Sequence, residues 1–270
     1  MFTKEYRIIM PMTVEEFQIG HLFTVAEAAR QETGGGEGVQ VLRNEPFEGA
    51  ELFHGEFTAG QYTHKVYHVD TKMPAMLRAF MPSGSQTLHE HAWNAYPYCM
   101  TTLTNPDYMK DDLLVQIETI HLNDGGTTEN PFRLTPDELS KRMLVNIDIA
   151  NDKEHLNKSD IRDETRPSMF RSEVTGRGPL RGAWQENCEP MMCCYKLVTV
   201  NFKLFGFQTL VESYLKKQFP RLLSKFHREM FCLMDRWYGL TLEQIRVLEE
   251  ETQRQLDEMR ATGNPRGMTD

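Results

Sequence analysis

The sequence predicts an α+β fold. Strand-like and helical stretches follow one another without the strict alternation of a parallel α/β sheet, no segment repeats, and 270 residues at 40% hydrophobic content can bury a sizeable core. In chain order, residues 6–10 read as a short strand. Thr13-Val14-Glu15-Glu16 has the Ser/Thr-x-x-Glu spacing of a capping box, which satisfies two free N–H groups reciprocally, and it opens a helix that runs to about residue 32. Gly34-Gly35-Gly36-Glu37-Gly38 stops that helix and turns the chain. It is not a phosphate loop, since the Lys-Ser/Thr ending and the following helix are missing. Further strands are expected at 38–41, 61–69, 75–80, 98–104, 113–121 and 195–203, with the polar stretch 150–181 as a long loop. From Phe207 the apolar residues hold a helical period for about eight turns. Pro220 interrupts them. A proline inside a helix lacks the N–H and clashes with the preceding turn, at a cost of about 3 kcal/mol, so a kink or a break with restart is expected there. A last helix begins at Thr241, whose spacing to Gln244 is again a capping box, and carries Ile245, Leu248, Thr252, Leu256 and Met259 on one stripe.

Composition narrows the function. No stretch offers the roughly 18 consecutive apolar residues of a membrane span, which excludes an integral membrane helix. The net charge of −9 argues against a general nucleic-acid or anionic-surface binder, whose affinity rests on an excess of Lys and Arg. The charged N-terminus reads as no targeting peptide, so a cytosolic protein is expected. Five cysteines, odd in number and without a CxxC pair, fit reduced thiols. Charge is unevenly spread: residues 196–236 hold eight basic and three acidic side chains, a net of +5, which leaves −14 for the remainder. With Phe202, Leu204, Phe205 and Phe207 at its strand-to-helix corner, this stretch reads either as a reversible membrane contact or, more blandly, as a solvated helix face.

Polar residues where apolar ones belong supply the candidate site. Strand alternation puts Thr63 and Lys65 on one face with Tyr67 and Val69, and puts Lys196 with Val198, Val200 and Phe202. A lysine on an apolar face needs an anion. On the last helix, at 100° per residue, the apolar stripe centres about 60° from Glu249, about 100° from Glu251 and about 160° from Glu250, so Glu249 is the acid that looks inward. Thr63, Lys65, Lys196 and Glu249 form either a structural ion-pair network or the lining for an anionic, hydroxylated headgroup, with ammonium groups for a phosphate and hydroxyl and carboxylate for a sugar. Cys99 and Thr101 share a strand face near Asn94 and extend the set. Hydrolase and kinase motifs are missing, and His89-Glu90-His91 has neither helical His spacing nor a nearby third ligand, so no metal site is expected.

Six segments resemble the phosphatidylinositol transfer proteins: Thr33-Gly34-Gly35-Gly36-Glu37-Gly38-Val39, Gly60-Gln61-Tyr62-Thr63-His64-Lys65, Ala92-Trp93-Asn94-Ala95-Tyr96-Pro97-Tyr98-Cys99, Thr175-Gly176-Arg177-Gly178-Pro179-Leu180, Cys194-Tyr195-Lys196-Leu197-Val198-Thr199 and Glu249-Glu250-Glu251-Thr252. They occur in order over nearly the whole chain, and the single-domain class is the most similar. The resemblance implies one transfer domain over residues 1–270, START-like, with a large concave, mostly antiparallel sheet and long helices enclosing one phospholipid. It implies that Thr63, Lys65, Asn94 and Glu249 contact inositol, and that Lys196, Cys99, Thr101 and His21 stand at the headgroup end of the cavity. His21 stands where the family has Gln. Residues 71–80 correspond to a lipid-exchange loop, Ser172 to a regulatory phosphorylation site, and Leu204-Phe205 to the family's aromatic membrane-docking pair. Pro220 falls where the family stays helical.

The function implied is a carrier, not an enzyme, that exchanges single phosphatidylinositol and phosphatidylcholine molecules between membranes. It would need no cofactor beyond its phospholipid, act as a monomer, visit membranes such as the Golgi transiently, and supply lipid kinases. The alternatives are an adaptor that presents phosphatidylinositol to a lipid kinase, and a lipid hydrolase using Cys99 with His89 or His91.

Overall fold

The structure is a computed structural model that describes residues 1–69, 86–203, 206 and 208–262. Among these residues the elements are β1 (Phe2–Met10), α1 (Val14–Glu32), β2 (Gly38–Leu52), β3 (Phe57–His68), β4 (Thr87–Ala95), β5 (Tyr98–Thr104), β6 (Leu113–Leu122), α2 (Pro136–Lys141), β7 (Met143–Ile147), β8 (Met192–Phe202), α3 (Gln208–Cys232), α4 (Met234–Trp237) and α5 (Leu242–Ala261). The strands follow the order β2-β3-β4-β5-β6-β8-β1-β7, antiparallel from β2 through β5 and parallel between β1 and β7. This is the predicted α+β class, of the kind expected for a START-like fold. The chain divides into two compact units, one of Met1–Thr24, Thr119–Thr199 and Phe205–Thr241, the other of Val25–Glu118, Val200–Leu204 and Leu242–Asp270.

In the first unit Tyr6, Ile8, Met10 and Phe17 are buried, as are Ile147, Met192, Tyr195, Val198, Phe231 and Trp237. Gly20 marks a close approach: a Cβ there would lie 2.9 Å from the Trp237 ring. The Thr13 box forms, with the Glu16 amide donating to the Thr13 hydroxyl at 3.2 Å and the Thr13 amide donating to the Glu16 carboxylate at 2.9 Å. Strand β1 starts four residues before the expected boundary. Its polar beginning hides a fully buried Glu5, which accepts from Arg7 at 2.7 Å and Arg142 at 2.5 Å, and so offsets the charge burial that a sequence reading counts against a strand.

Two elements of this unit escape the sequence reading. Strand β7 exists through its parallel register with β1, Lys4 opposite Met143 to Ile8 opposite Ile147. Helix α2 carries the same signature as α1, a Thr135/Glu138 capping box followed by Pro136 at the first helical turn, but it lasts only six residues.

Of the kink or break expected at Pro220, the break does not occur, since α3 runs unbroken through it. Tertiary bonds hold the helix immediately after its missing N–H. Arg221 donates twice to Asp160, at 2.7 and 3.0 Å, and Arg228 donates to the Ile149 carbonyl at 2.8 Å. Burial of Asp160 opposes its ionisation, but the Arg221 hydrogen bond, the Asn157 amide and the charges of Lys225 and Arg221 outweigh that and hold its pKa at about 2. These pairs also revise the charge split. Arg221 and Arg228 are buried, and Asp160 and Asp152 of the polar loop neutralise them, so part of the local excess is structural rather than a cationic face.

In the second unit β2 spans Gly38–Leu52, far beyond the expected 38–41, and β5 matches the expected 98–104 at both ends. Strand β4 was not legible, because His89, Glu90 and His91 are polar on both faces and only pairing with β3 and β5 fixes it. On α5, Ile245, Thr252 and Leu256 are buried as the stripe requires. The strand expected at 75–80 lies outside the described residues. All five cysteines are free thiols.

Candidate functional site

The second unit gathers most of the predicted residues on one sheet face. Side chains alternate along a strand, and directly opposed residues in an antiparallel ladder share a face. The register opposes Gln61 to Asn94, Thr63 to Ala92 and Lys65 to Glu90 between β3 and β4, and Asn94 to Cys99 and Ala92 to Thr101 between β4 and β5. Thr63, Lys65, Asn94, Cys99 and Thr101 therefore stand on the same face. Asn44 of β2 opposes Thr63 and joins them.

Thr63 is 8% exposed, and its hydroxyl has no hydrogen-bond partner among the described residues. The Lys65 ammonium lies 3.3 Å from Glu90, a carboxylate that also accepts from the Tyr67 hydroxyl at 2.8 Å. Burial and then the Glu90 charge push the Tyr67 phenol well above its ordinary pKa, so Tyr67 stays a neutral donor to Glu90. Glu249 of α5 is half-buried, whereas Glu250 and Glu251 are exposed. Its Oε2 accepts from Arg246 at 2.6 Å and from Asn44 at 3.3 Å, while Asn44 Oδ1 accepts from Gln61 at 2.7 Å. Asn94 Nδ2 makes only a long 3.5 Å contact to the Gln61 carbonyl. The face thus presents a cation, two carboxylates, amides and a hydroxyl, which is a chemistry suited to a ring of hydroxyls beside a phosphate.

Glu90, Asn44 and Gln61 are the members that sequence reasoning missed; alternation places Tyr67 on this face but gives it no role. Alternation alone could have placed Gln61 with Thr63, but Glu90 and Asn44 become neighbours only through register.

Gly60 sets how closely β3 and β4 approach next to this face. A Cβ at Gly60 would lie 2.2 Å from the Asn94 carbonyl oxygen, so only glycine lets β3 pass this close to β4.

The first unit holds Lys196 and His21. Lys196 is half-buried and donates to the Thr119 hydroxyl at 3.2 Å, and no carboxylate pairs with it among the described residues. His227 is fully buried, and its Nδ1 donates to the Leu223 carbonyl at 2.7 Å. Its Nε2 is buried without a hydrogen bond among the described residues. Burial and then the Lys196 charge lower the His227 pKa to about 3, so this imidazole is neutral. His21 stacks on Phe17 at 5.8 Å and meets the edge of Phe226 at 5.3 Å. A hollow of about 380 Å³ in this unit, lined by Pro11, Arg177, Pro179, Trp184 and Cys188, contains none of the predicted residues.

Ser172 is 1% exposed. Its hydroxyl donates to Asp235 and accepts from the Thr175 amide at 2.9 Å, which closes the loop around it. The docking pair Leu204-Phe205 and the exchange loop at 71–80 lie outside the described residues.

The opposite sheet face bears on two expectations. His89 and His91 alternate with Glu90 and so point away from Cys99, which removes the Cys–His pair that a hydrolase would need. The third imidazole that the sequence lacked near His89 and His91 is supplied by His64 of β3, directly opposite His91. Burial first, and then the neighbouring imidazoles, lower the pKa of His64 and of His91.

A family model described as phosphatidylinositol transfer protein matches residues 1–254. The phosphatidylinositol transfer protein beta isoform of Homo sapiens is 47% identical over 269 residues, covering 98% of this chain and 96% of its own length. Phosphatidylinositol transfer protein 1 of Dictyostelium discoideum is 42% identical over 259 residues, covering 95% and 94%.

Proposed function

This chain belongs to the phosphatidylinositol transfer protein family, and on that premise we propose that it carries single phospholipid molecules, phosphatidylinositol and phosphatidylcholine, between membranes. No bond is made or broken. A lipid leaving a bilayer alone exposes two acyl chains at about 0.8 kcal/mol per CH₂, more than about 20 kcal/mol in all, and a carrier lowers that barrier by sheltering the chains as they leave. The exchange loop at 71–80 and the C-terminal helix open at the bilayer and close over the lipid, with Leu204-Phe205 as the docking point. Residues 1–270 act as one transfer domain and as a monomer, in the cytoplasm with transient visits to membranes, and the cargo supplies lipid kinases.

Inositol is read by Thr63, Lys65, Asn94 and Glu249, while Cys99, Thr101, Lys196 and His21 line the headgroup end. The observation that carries this assignment is the Thr63 side chain, 8% exposed and with no hydrogen bond among the described residues, set among Lys65, Asn94 and Glu249. A hydroxyl that the protein leaves free in a mostly buried side chain can donate to and accept from a ligand hydroxyl. In the other unit, Lys196 is a half-buried ammonium with no carboxylate paired to it among the described residues, a chemistry suited to a phosphate. Choline lipids would share the carrier without using the inositol contacts. Ser172 is the regulatory phosphorylation position; a phosphate there would face Asp235 and drive the 172–177 loop open by like-charge repulsion.

Native mass spectrometry of the purified protein tests the carrier reading. One bound phospholipid per chain, of phosphatidylinositol or phosphatidylcholine mass, is expected. Lipid-free protein that also fails to move labelled lipid between vesicles would overturn it, and bound lipid without transfer would favour the adaptor.

A further inference from the structure

On the sheet face behind Thr63 and Lys65, the register of β3 and β4 assembles three imidazoles. His89 and His91, two apart on β4, point the same way, and His64 of β3 stands directly opposite His91 and diagonal to His89. His64 Nε2 is 3.0 Å from His89 Nδ1, and the His64 and His91 rings stack at a centroid distance of 4.2 Å. One ring nitrogen from each of the three lies within 4.8 Å of the others. Each of the three residues is half-buried. The Tyr62 hydroxyl is hydrogen-bonded to His91 Nδ1 at 2.7 Å and orients that ring, and the Arg43 guanidinium lies over Tyr62 on the same face.

We propose that His64, His89 and His91 bind a divalent first-row transition-metal cation of the zinc kind, which clamps β3 to β4. At Zn–N distances of about 2.0–2.1 Å, tetrahedral ligand nitrogens sit about 3.4 Å apart, so the cluster must contract by at most about 1.4 Å. Side-chain torsions on unstrained strands supply that movement. The donor set selects the metal: imidazoles without carboxylates suit zinc, copper or nickel and not calcium or magnesium, which take oxygen ligands. Three protein ligands leave a fourth position for water. Ligating through Nε2, His91 would carry its proton on Nδ1 and donate it to the Tyr62 hydroxyl, the outer contact that fixes the orientation of such a ring. The site is independent of the lipid reading, because its residues face away from Thr63, Lys65, Asn94 and Glu249.

The test titrates Zn²⁺ into tag-free protein by calorimetry and repeats it with Co²⁺, whose visible absorption reports tetrahedral coordination. One ion per chain is expected, and His64→Ala or His91→Ala should weaken binding about tenfold or more, while His54→Asn, an exposed position in the β2–β3 turn, should not change it. Binding that survives the double variant His64→Ala/His91→Ala, or no binding at micromolar zinc, overturns the site. X-ray absorption on the zinc-loaded wild-type protein gives the answer even if the variants misfold: a three-imidazole shell supports the assignment, and a sulfur shell from the free cysteines refutes it.

Discussion

Replacing Lys65 with alanine separates headgroup recognition from folding. The ammonium is about one-sixth exposed and its protein partner is Glu90 at 3.3 Å. Glu90 keeps its 2.8 Å bond from Tyr67 in the variant, so the carboxylate is not stranded. A partly exposed ion pair of this kind contributes about 1 kcal/mol or less to stability, and the variant should fold. The loss on the ligand side is larger. One charge-assisted hydrogen bond to the inositol headgroup is worth about 1.5–3 kcal/mol, which is about 10- to 150-fold in capture of phosphatidylinositol. Phosphatidylcholine, which lacks the sugar, should transfer within about threefold of wild type, the factor that corresponds to well under 1 kcal/mol. Vesicle-to-vesicle transfer of the two labelled lipids, run side by side on the same preparations, measures the ratio. Equal losses for both lipids would refute the headgroup assignment and leave Lys65 as a structural partner of Glu90.

The remaining predictions concern the frame around the site. Gly60→Ala forces a Cβ to within 2.2 Å of the Asn94 carbonyl and should cost about 1–3 kcal/mol, read as a lower urea midpoint; an unchanged midpoint would show that β3 and β4 are less tightly apposed. His227 has a folded pKa of about 3 against an ordinary 6.5, so between those values the unfolded chain binds the extra proton and stability falls as pH drops, by about 1.4 kcal/mol per pH unit. His227→Gln should flatten that slope in denaturant titrations at pH 4–7, and an identical slope would mean that other groups carry it. Asp160, held at about 2 against an ordinary 3.8, stabilises the fold above about pH 4 by about 2 kcal/mol, and this is lost as pH falls toward 2. Asp160→Asn should be less stable at neutral pH and should lose less stability than wild type as pH falls from about 4 to about 2, and a variant as stable as wild type would remove Arg221–Asp160 as the anchor of α3.

Local geometry carried much of the reading. A period of two placed Thr63 beside Lys65, a period of 3.6 turned Glu249 inward and its two acidic neighbours outward, and the Thr13 box marked the start of α1. These features depend on residues within one turn or one pleat of each other, which is why they are legible without the fold. Where the reading failed, the deciding partner was distant in sequence. Arg221 and Asp160 carry α3 through Pro220, and Arg142 makes room for Glu5 in β1.

What the sequence by itself determined is therefore the class of fold, the family through its motifs, and which side chains share a strand or helix face. Tertiary structure alone decided the register that sets Glu90 against Lys65, ties Glu249 through Asn44 to Gln61, and brings His64 to His89 and His91. The physical reason is that alternation and helical period are properties of a single backbone segment, whereas register is settled only when two segments far apart in the chain compete to bury one face and pair every N–H and C=O.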